Sequence, residues 1–344
     1  MPDEEDTFDL SGPVHLTTVD WTNPNHQRSV AASLVKGVYV EQRDRKKRRQ
    51  GCRALAPRWY KAFDFQLDRL LIDKDDSSVF GAIYQLISVP SADQAPRYVI
   101  AFRGTIPKLG TFKQDLKLNI RIIKNRLDQT PRAAAALQAV QQVVAAYGSS
   151  NVWLAGHSQG AAMGMLAGKY MAKTGVVLEA FLFNPPFVSL PIGRLKGHGI
   201  RLARSVTTAE LLKMMHRSGS SSAALSAWRP RLFVNRADFI CAEYIGYFEH
   251  REWMEKIGAG EIERVASQHS VAGLLLHATA SKLGKPSSED LLHLIPSASL
   301  TVNLSPVRLL DVHGIKQWWE ADLTWNQTYT NTCDEVLMQR HVEF

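Results

Sequence analysis

Five consecutive residues, Gly156-His157-Ser158-Gln159-Gly160, have the types and spacing of an activated serine. A serine hydroxyl attacks a carbonyl only if it stands clear of the backbone. A G-x-S-x-G turn between a strand and a helix forces it into that position. Glycines on either side let strand and helix approach closely. The turn also delivers the backbone N–H of Gln159 beside the hydroxyl, at a helix N-terminus that favours developing negative charge. His157 is expected to point away from the nucleophile and to pack or hydrogen-bond near the sheet. The bland alternative is a Gly-rich turn with a buried serine.

A tetrahedral oxyanion needs two N–H donors from different segments. Phe102-Arg103-Gly104-Thr105 closes an apolar run upstream of the serine and is placed to supply the second, with Asp115-Leu116 following. The acid that orients a general base belongs beyond the serine, after a later strand. Asp238 in RLFVNRADFIC fits, against the alternative of a turn-capping aspartate. For the base, the order Ser, Asp, His leaves His250, His269, His277, His293, His313 and His341. His250 follows Asp238 too closely, and His269 and His277 fall in a helical stretch. His293 in LLHLIPSASL and His313 in DVHGIKQWW compete. His313 is preferred, because His-Gly before an aromatic stretch offers a loop free to swing the ring over the nucleophile. This set implies no metal or organic cofactor. Cys52, Cys241 and Cys333 include no CxxC pair, which argues against a disulfide framework and a zinc site.

Elements must hold these groups together, and the chain is long enough to build them. Its 344 residues are 45% apolar with 8 Trp, 9 Tyr and 13 Phe, which excludes a disordered chain. No window offers 18 uncharged apolar residues for a membrane span. The opening MPDEEDTFDL lacks the apolar stretch of a secretory signal, so a cytoplasmic setting is expected. The net charge is +8, and Arg43 to Arg49 (RDRKKRR) holds six of the cations. The run is compatible with nuclear entry. It reads more simply as the solvated end of a basic helix (29–50), opposing the helix dipole and stopped by Gly51. It has no aromatic or Ser/Thr interleaving, so no nucleic-acid partner is expected.

The remaining pattern alternates. Residues 63–73 and 79–87 suit strands joined by a DKDDSS turn. YVIAF (98–102), 152–155, VLEAFLF (177–183, closed by Asn184-Pro185-Pro186) and RLFVN (231–235) are short unbroken apolar runs typical of buried parallel strands. Between them, Thr130 caps a helix with Pro131 at its first position and Gly148 at its end. Ala134, Leu137, Val140, Val144 and Tyr147 would line its buried face. A second helix, rich in small residues, follows the serine turn. Alternation of this kind implies an α/β fold with a mostly parallel central sheet and helices on both faces. We read residues 1–344 as one such domain, with an irregular N-terminal segment (1–28) and an insertion (193–230) holding a helix near Glu210 to Met215.

FRGT, then DL, then GHSQG resembles the class 3 (fungal-type) lipase family of α/β-hydrolases. SGPVHLTTVDWTNP, NPPF and HGIKQWW are similar to a plant branch often labelled "GDSL esterase/lipase", although no Gly-Asp-Ser-Leu occurs here. The resemblance implies Thr105 and Gln159 as oxyanion residues. It also places 105–115 (TIPKLGTFKQD) where the family has its lid, a segment with few bulky apolar residues. It favours His313, since the family's histidine precedes a closing aromatic segment. The implied function is hydrolysis of a small-molecule or lipid ester by a Ser158–His313–Asp238 triad, and the chain is compatible with peripheral membrane contact. Phe187, Leu190, Met214 and Met215 would lie near the mouth. The alternative is a hydrolase-fold binding or regulatory protein with little or no catalysis.

Overall fold

The computed structural model describes residues 4–88, 94–106, 130–187, 224–248, 295, 297–305, 311–320 and 325–330. Among the described residues, eight strands form one sheet in chain order. They are β1 (Phe65–Ile72), β2 (Val79–Leu86), β3 (Tyr98–Phe102), β4 (Val152–His157), β5 (Glu179–Phe183), β6 (Arg231–Asn235), β7 (Ser299–Asn303) and β8 (Trp325–Thr330). Strands β3 to β7 are parallel, while β1, β2 and β8 run antiparallel to their inner neighbours. Every residue of β3 and β4 is buried, because helices cover both faces, which explains their unbroken apolar runs. Strands β7 and β8 are additions to the sequence reading. The alternating burial of SLTVN, with two half-exposed positions, lacks the continuous apolar run that marked the other inner strands.

The helices that flank the sheet include α1 (Phe8–Ser11), α2 (Pro24–Lys47), α3 (Ala56–Lys61), α4 (Pro131–Tyr147) and α5 (Gln159–Lys173). On one face α2 packs Val30, Leu34, Val35 and Val38 against Phe181, Phe183 and Trp318 in a single core. On the other, α4 and α5 pack against Ile100, Leu154 and Leu182. The Thr130 side chain caps α4 as expected, accepting from the Ala133 N–H at 3.2 Å. The buried stripe of α4, however, is Ala133, Ala136, Ala139, Val140 and Val143, one residue out of phase with the expected face. Small alanines let the helix approach its neighbours closely. The larger Leu137 and Val144 pack at the margin, and Tyr147 stacks on Tyr98 with ring centres 4.0 Å apart.

The N-terminal region is more ordered than a sequence pattern revealed. Helix α2 begins at Pro24, not near residue 29, because the Asn23 side chain accepts from the Asn25 N–H at 2.9 Å and Pro24 takes the first helical position. It ends at Lys47, capped by Arg48 at φ 54°, so Gly51 is not the stop. The basic run is correspondingly divided. Arg43 and Arg49 turn inward to the fully buried Asp6, joined by Lys36 at 3.8 Å. Arg49 also bonds Asp44 at 2.5 Å. Only Arg45 to Arg48 are exposed. Of the expected insertion, residues up to 223 lie outside the described ones, including Glu210 to Met215. Trp228, in the described end of it, is buried and donates to the Leu178 carbonyl at 2.8 Å.

Candidate active site

Strand β4 runs into α5 through Ser158, which sits at φ 55°, ψ −122°, a conformation costly for any residue with a Cβ. The surroundings enforce it. Ser158 N–H donates to the Phe183 carbonyl at 2.9 Å, and its own carbonyl accepts from Ala162 at 3.1 Å. A side chain at Gly160 would run into the Phe102 carbonyl, so only glycine lets α5 start this close to β3. The hydroxyl is thereby held at the C-terminal edge of the parallel strands, where open α/β sheets place their sites.

Two further elements reach that hydroxyl. His313 Nε2 lies 2.9 Å from Ser158 Oγ, and His313 Nδ1 lies 2.7 Å from Asp238 Oδ2. A carboxylate only accepts, so Nδ1 carries the proton and Nε2 is left to accept from the serine. Asp238 follows β6 and is fully buried. Burial alone would raise its carboxyl. Hydrogen bonds and charge from His313, with donors from Asn184 and Cys241, outweigh burial and bring it below the usual carboxylate value. It is the ionised partner of the cluster.

The two segments expected to supply oxyanion donors also meet. A methyl added to Gly104 would come within 2.8 Å of Ser158 Cβ, so the end of β3 abuts the serine turn. Thr105 Oγ1 donates to Gln159 Oε1 at 3.1 Å, tying the two segments together. Gln159 is the first residue of α5, and its N–H has no acceptor within the helix. Arg103 beside them is buried and donates to the Val79 and Gly104 carbonyls at 2.5 and 2.7 Å. Burial lowers its guanidinium to about 10, so it keeps its charge at neutral pH beside the strand end.

The His313 loop corrects the sequence expectation of a free, swinging loop. Carbonyls on and beside His313 each accept from a buried side chain. Gln317 Nε2 donates to Val312 at 2.8 Å and to Gly314 at 2.9 Å, and His157 Nε2 donates to the His313 carbonyl at 2.8 Å. Gln317 Oε1 in turn accepts from Asn235 and Asn303, at the ends of β6 and β7. Asn184, at φ 44° after β5, donates to Asp238 Oδ2 at 2.7 Å and to the Val312 carbonyl at 3.2 Å, while accepting from Trp318 Nε1 at 2.6 Å. Sequence reasoning saw Asn184 only as a strand terminator and did not single out Gln317.

His157 is buried behind the site. Its Nε2 faces a carbonyl and must carry the proton, which leaves Nδ1 to accept from Tyr39 Oη–H at 2.8 Å. Tyr39 Oη then accepts from the Gly104 N–H at 2.7 Å. This chain links α2, the end of β3 and the His313 loop. Burial first, then the His313 charge, lowers the His157 imidazole from 6.5 to about 3. Its folded value lies below its unfolded one, so the unfolded chain takes up a proton that the folded chain refuses as pH falls through 6.5 towards 3. His157 therefore makes stability fall with acid over that window, by up to ~1.4 kcal/mol per pH unit. Urea unfolding of wild type and His157→Gln at pH 6.5 and 4.5 checks this. The wild type should lose more stability between the two, and equal losses would mean that His157 is already charged or solvated when folded.

Some expected residues cannot be placed. His293, the competing base, lies outside the described residues, as do His250, His269, His277, His341, Asp115, Leu116, Leu190, Met214 and Met215 and the lid position beyond residue 106. Phe187 packs edge-on to Tyr244 at 4.8 Å and lies near Tyr247.

A sequence model of the class 3 lipases, "Lipase (class 3)", matches residues 99–189, from β3 through the serine turn to just past β5. An Arabidopsis thaliana protein named GDSL esterase/lipase is 47% identical over 348 aligned positions, covering 94% of this chain and 97% of that protein. A crystal structure of a lipase from Rhizopus microsporus var. chinensis aligns over 63% of this chain and 69% of its own, at 13% identity and a TM-score of 0.34.

Proposed function

Because the chain belongs to the class 3 lipase family of α/β-hydrolases, in the plant branch of that family, and is an ester hydrolase, we propose that it cleaves acyl or lipid-type carboxylic esters through an acyl-enzyme on Ser158. Ser158 Oγ attacks the ester carbonyl carbon while His313 Nε2 takes its proton. Asp238 holds the imidazole in the required tautomer and stabilises the imidazolium without being protonated itself. The Thr105 and Gln159 N–H groups receive the oxyanion. Collapse breaks the carbonyl–alkoxy bond, and His313 returns the proton to the leaving alcohol. Water, deprotonated by His313, then attacks the acyl carbon, the acyl–Oγ bond breaks, and His313 returns the proton to Ser158 Oγ as the acid leaves.

The observation carrying this reading is the single imidazole of His313, 2.9 Å from a strained serine hydroxyl and 2.7 Å from a buried carboxylate. A fluorophosphonate probe tests it, because only an activated serine reacts. One equivalent of label should appear on the peptide containing Ser158, and p-nitrophenyl esters from acetate to palmitate should be turned over, their rates giving the acyl preference. A native protein that takes no label and hydrolyses none of these esters would be the non-catalytic binding module instead.

A further inference from the structure

The exposed part of the basic run has a location that the chemistry leaves unused. Helix α2 starts at one edge of the sheet, where Gln27 accepts from Arg231 at the beginning of β6. It finishes at the other edge. There Tyr39 bonds Gly104 and His157, and Gln42 accepts from the Val79 N–H at 2.6 Å. Val79 begins β2, which runs antiparallel to β3, so it too lies at the C-terminal edge with Ser158. At 1.5 Å per residue, Arg45 to Arg48 stand roughly 9–14 Å beyond Tyr39 along the helix axis. The cations thus project from the same edge as the nucleophile, one helix away from it.

Among the described residues, cations outnumber carboxylates at this end of α2, where Glu41 and Asp44 lie beside the run. Arg45, Lys46 and Arg48 are exposed, as is Arg53 just after the helix. The inward-facing Arg43 and Arg49 already satisfy Asp6 and Asp44. On the neighbouring β1–β2 turn, Asp73 and Asp76 pair with Arg132 at 2.6 and 3.5 Å. The run itself holds no aromatic side chain for base stacking. A cationic cluster beside a site for lipid-type esters matches the surface on which such substrates are presented when that surface is anionic.

We propose that Arg45, Lys46 and Arg48, with Arg53, are a docking surface for an anionic lipid bilayer, which brings the sheet edge carrying Ser158 to the membrane. This rests on the ester-hydrolase reading above. Attraction of this kind acts over about one Debye length, ~10 Å at 0.1 M salt, and weakens as salt rises.

The test uses the full chain with Ser158→Ala, so that binding is read without turnover. Sedimentation with phosphatidylcholine vesicles, with and without phosphatidylglycerol, should show binding only when the anionic lipid is present and should weaken with salt. The triple reversal Arg45→Glu/Lys46→Glu/Arg48→Glu should cut vesicle affinity on the order of 100-fold. The neutral triple Arg45→Gln/Lys46→Gln/Arg48→Gln, gentler on the helix, should show a smaller loss in the same direction. A control with the same net charge, Lys61→Glu/Arg69→Glu/Arg97→Glu, reverses exposed cations away from that edge and should bind like the parent. Equal losses in the two reversed triples would overturn the proposal, reducing the effect to net charge. Retention on duplex DNA without vesicle binding would overturn it in favour of a nucleic-acid surface. In the Ser158 background, the patch triple should hydrolyse a soluble p-nitrophenyl ester like wild type. A large drop there would overturn it by making the patch part of the catalytic machinery. Absence of soluble-ester turnover in the wild type would instead sink the hydrolase reading, which the vesicle measurements do not depend on.

Discussion

Replacing Ser158 by Ala is expected to lower ester turnover about 10⁶-fold, the scale on which a triad nucleophile matters. The strain at this position makes the experiment clean. Alanine keeps the Cβ and the backbone conformation at φ 55°, ψ −122°, so the turn is neither relieved nor further burdened. The retained contacts are backbone ones, from Ser158 N–H to Phe183 and from Ala162 to the Ser158 carbonyl. Thermal unfolding should therefore stay close to wild type while p-nitrophenyl ester hydrolysis disappears. Ser158→Gly separates strain from chemistry. It should be equally inactive but more stable by about 1 kcal/mol, because glycine tolerates this conformation. Wild-type turnover in a purified, folded Ala variant would end the nucleophile assignment.

Asp238→Asn should reduce kcat about 10⁴-fold with little change in KM. The carboxylate accepts from His313 Nδ1, Asn184 Nδ2 and the Cys241 thiol, all at 3.1 Å or less. An amide oxygen can keep only part of that set. If the amide nitrogen turns towards His313, the imidazole must move its proton to Nε2, which then donates to Ser158 and no longer accepts from it. The substrate-contacting groups are untouched, so the loss falls on kcat. Stability should drop as well, by about 1–3 kcal/mol, since buried donors are left with a poorer acceptor. Steady-state kinetics and urea titrations read the two effects separately. A kcat within tenfold of wild type would return Asp238 to the role of a turn-capping residue.

The parts of the molecule legible in the sequence are those whose physics is local. YVIAF and RLFVN are strands in the structure at the same residues, because strands buried on both faces need unbroken apolar runs. Thr130-Pro131 and Gly148 delimit α4, because caps are written within one turn of the helix end. The G-x-S-x-G turn was legible because its strain is resolved by its immediate neighbours. The face of α4 was misjudged by one residue. Side-chain size suggested that Leu137 and Val144 lead, whereas close approach to the sheet selects alanines.

Only the tertiary structure decided the rest, and separation along the chain is the reason. Tyr39 is 118 residues from His157, and Trp318 is 134 from Asn184, so no spacing rule connects them. The acidic N-terminus looked irregular because Asp6 acquires meaning only when α2 brings Lys36, Arg43 and Arg49 around it. His313 was preferred for the freedom of its loop, yet the folded loop is held by Gln317, His157 and Asn184 through backbone carbonyls that every sequence possesses. Residue types and local spacing therefore determined which groups could do chemistry and on which elements they sit. The distances that let them act on one another depend on buried polar contacts between distant segments, and those exist only once the sheet has brought its strand ends together.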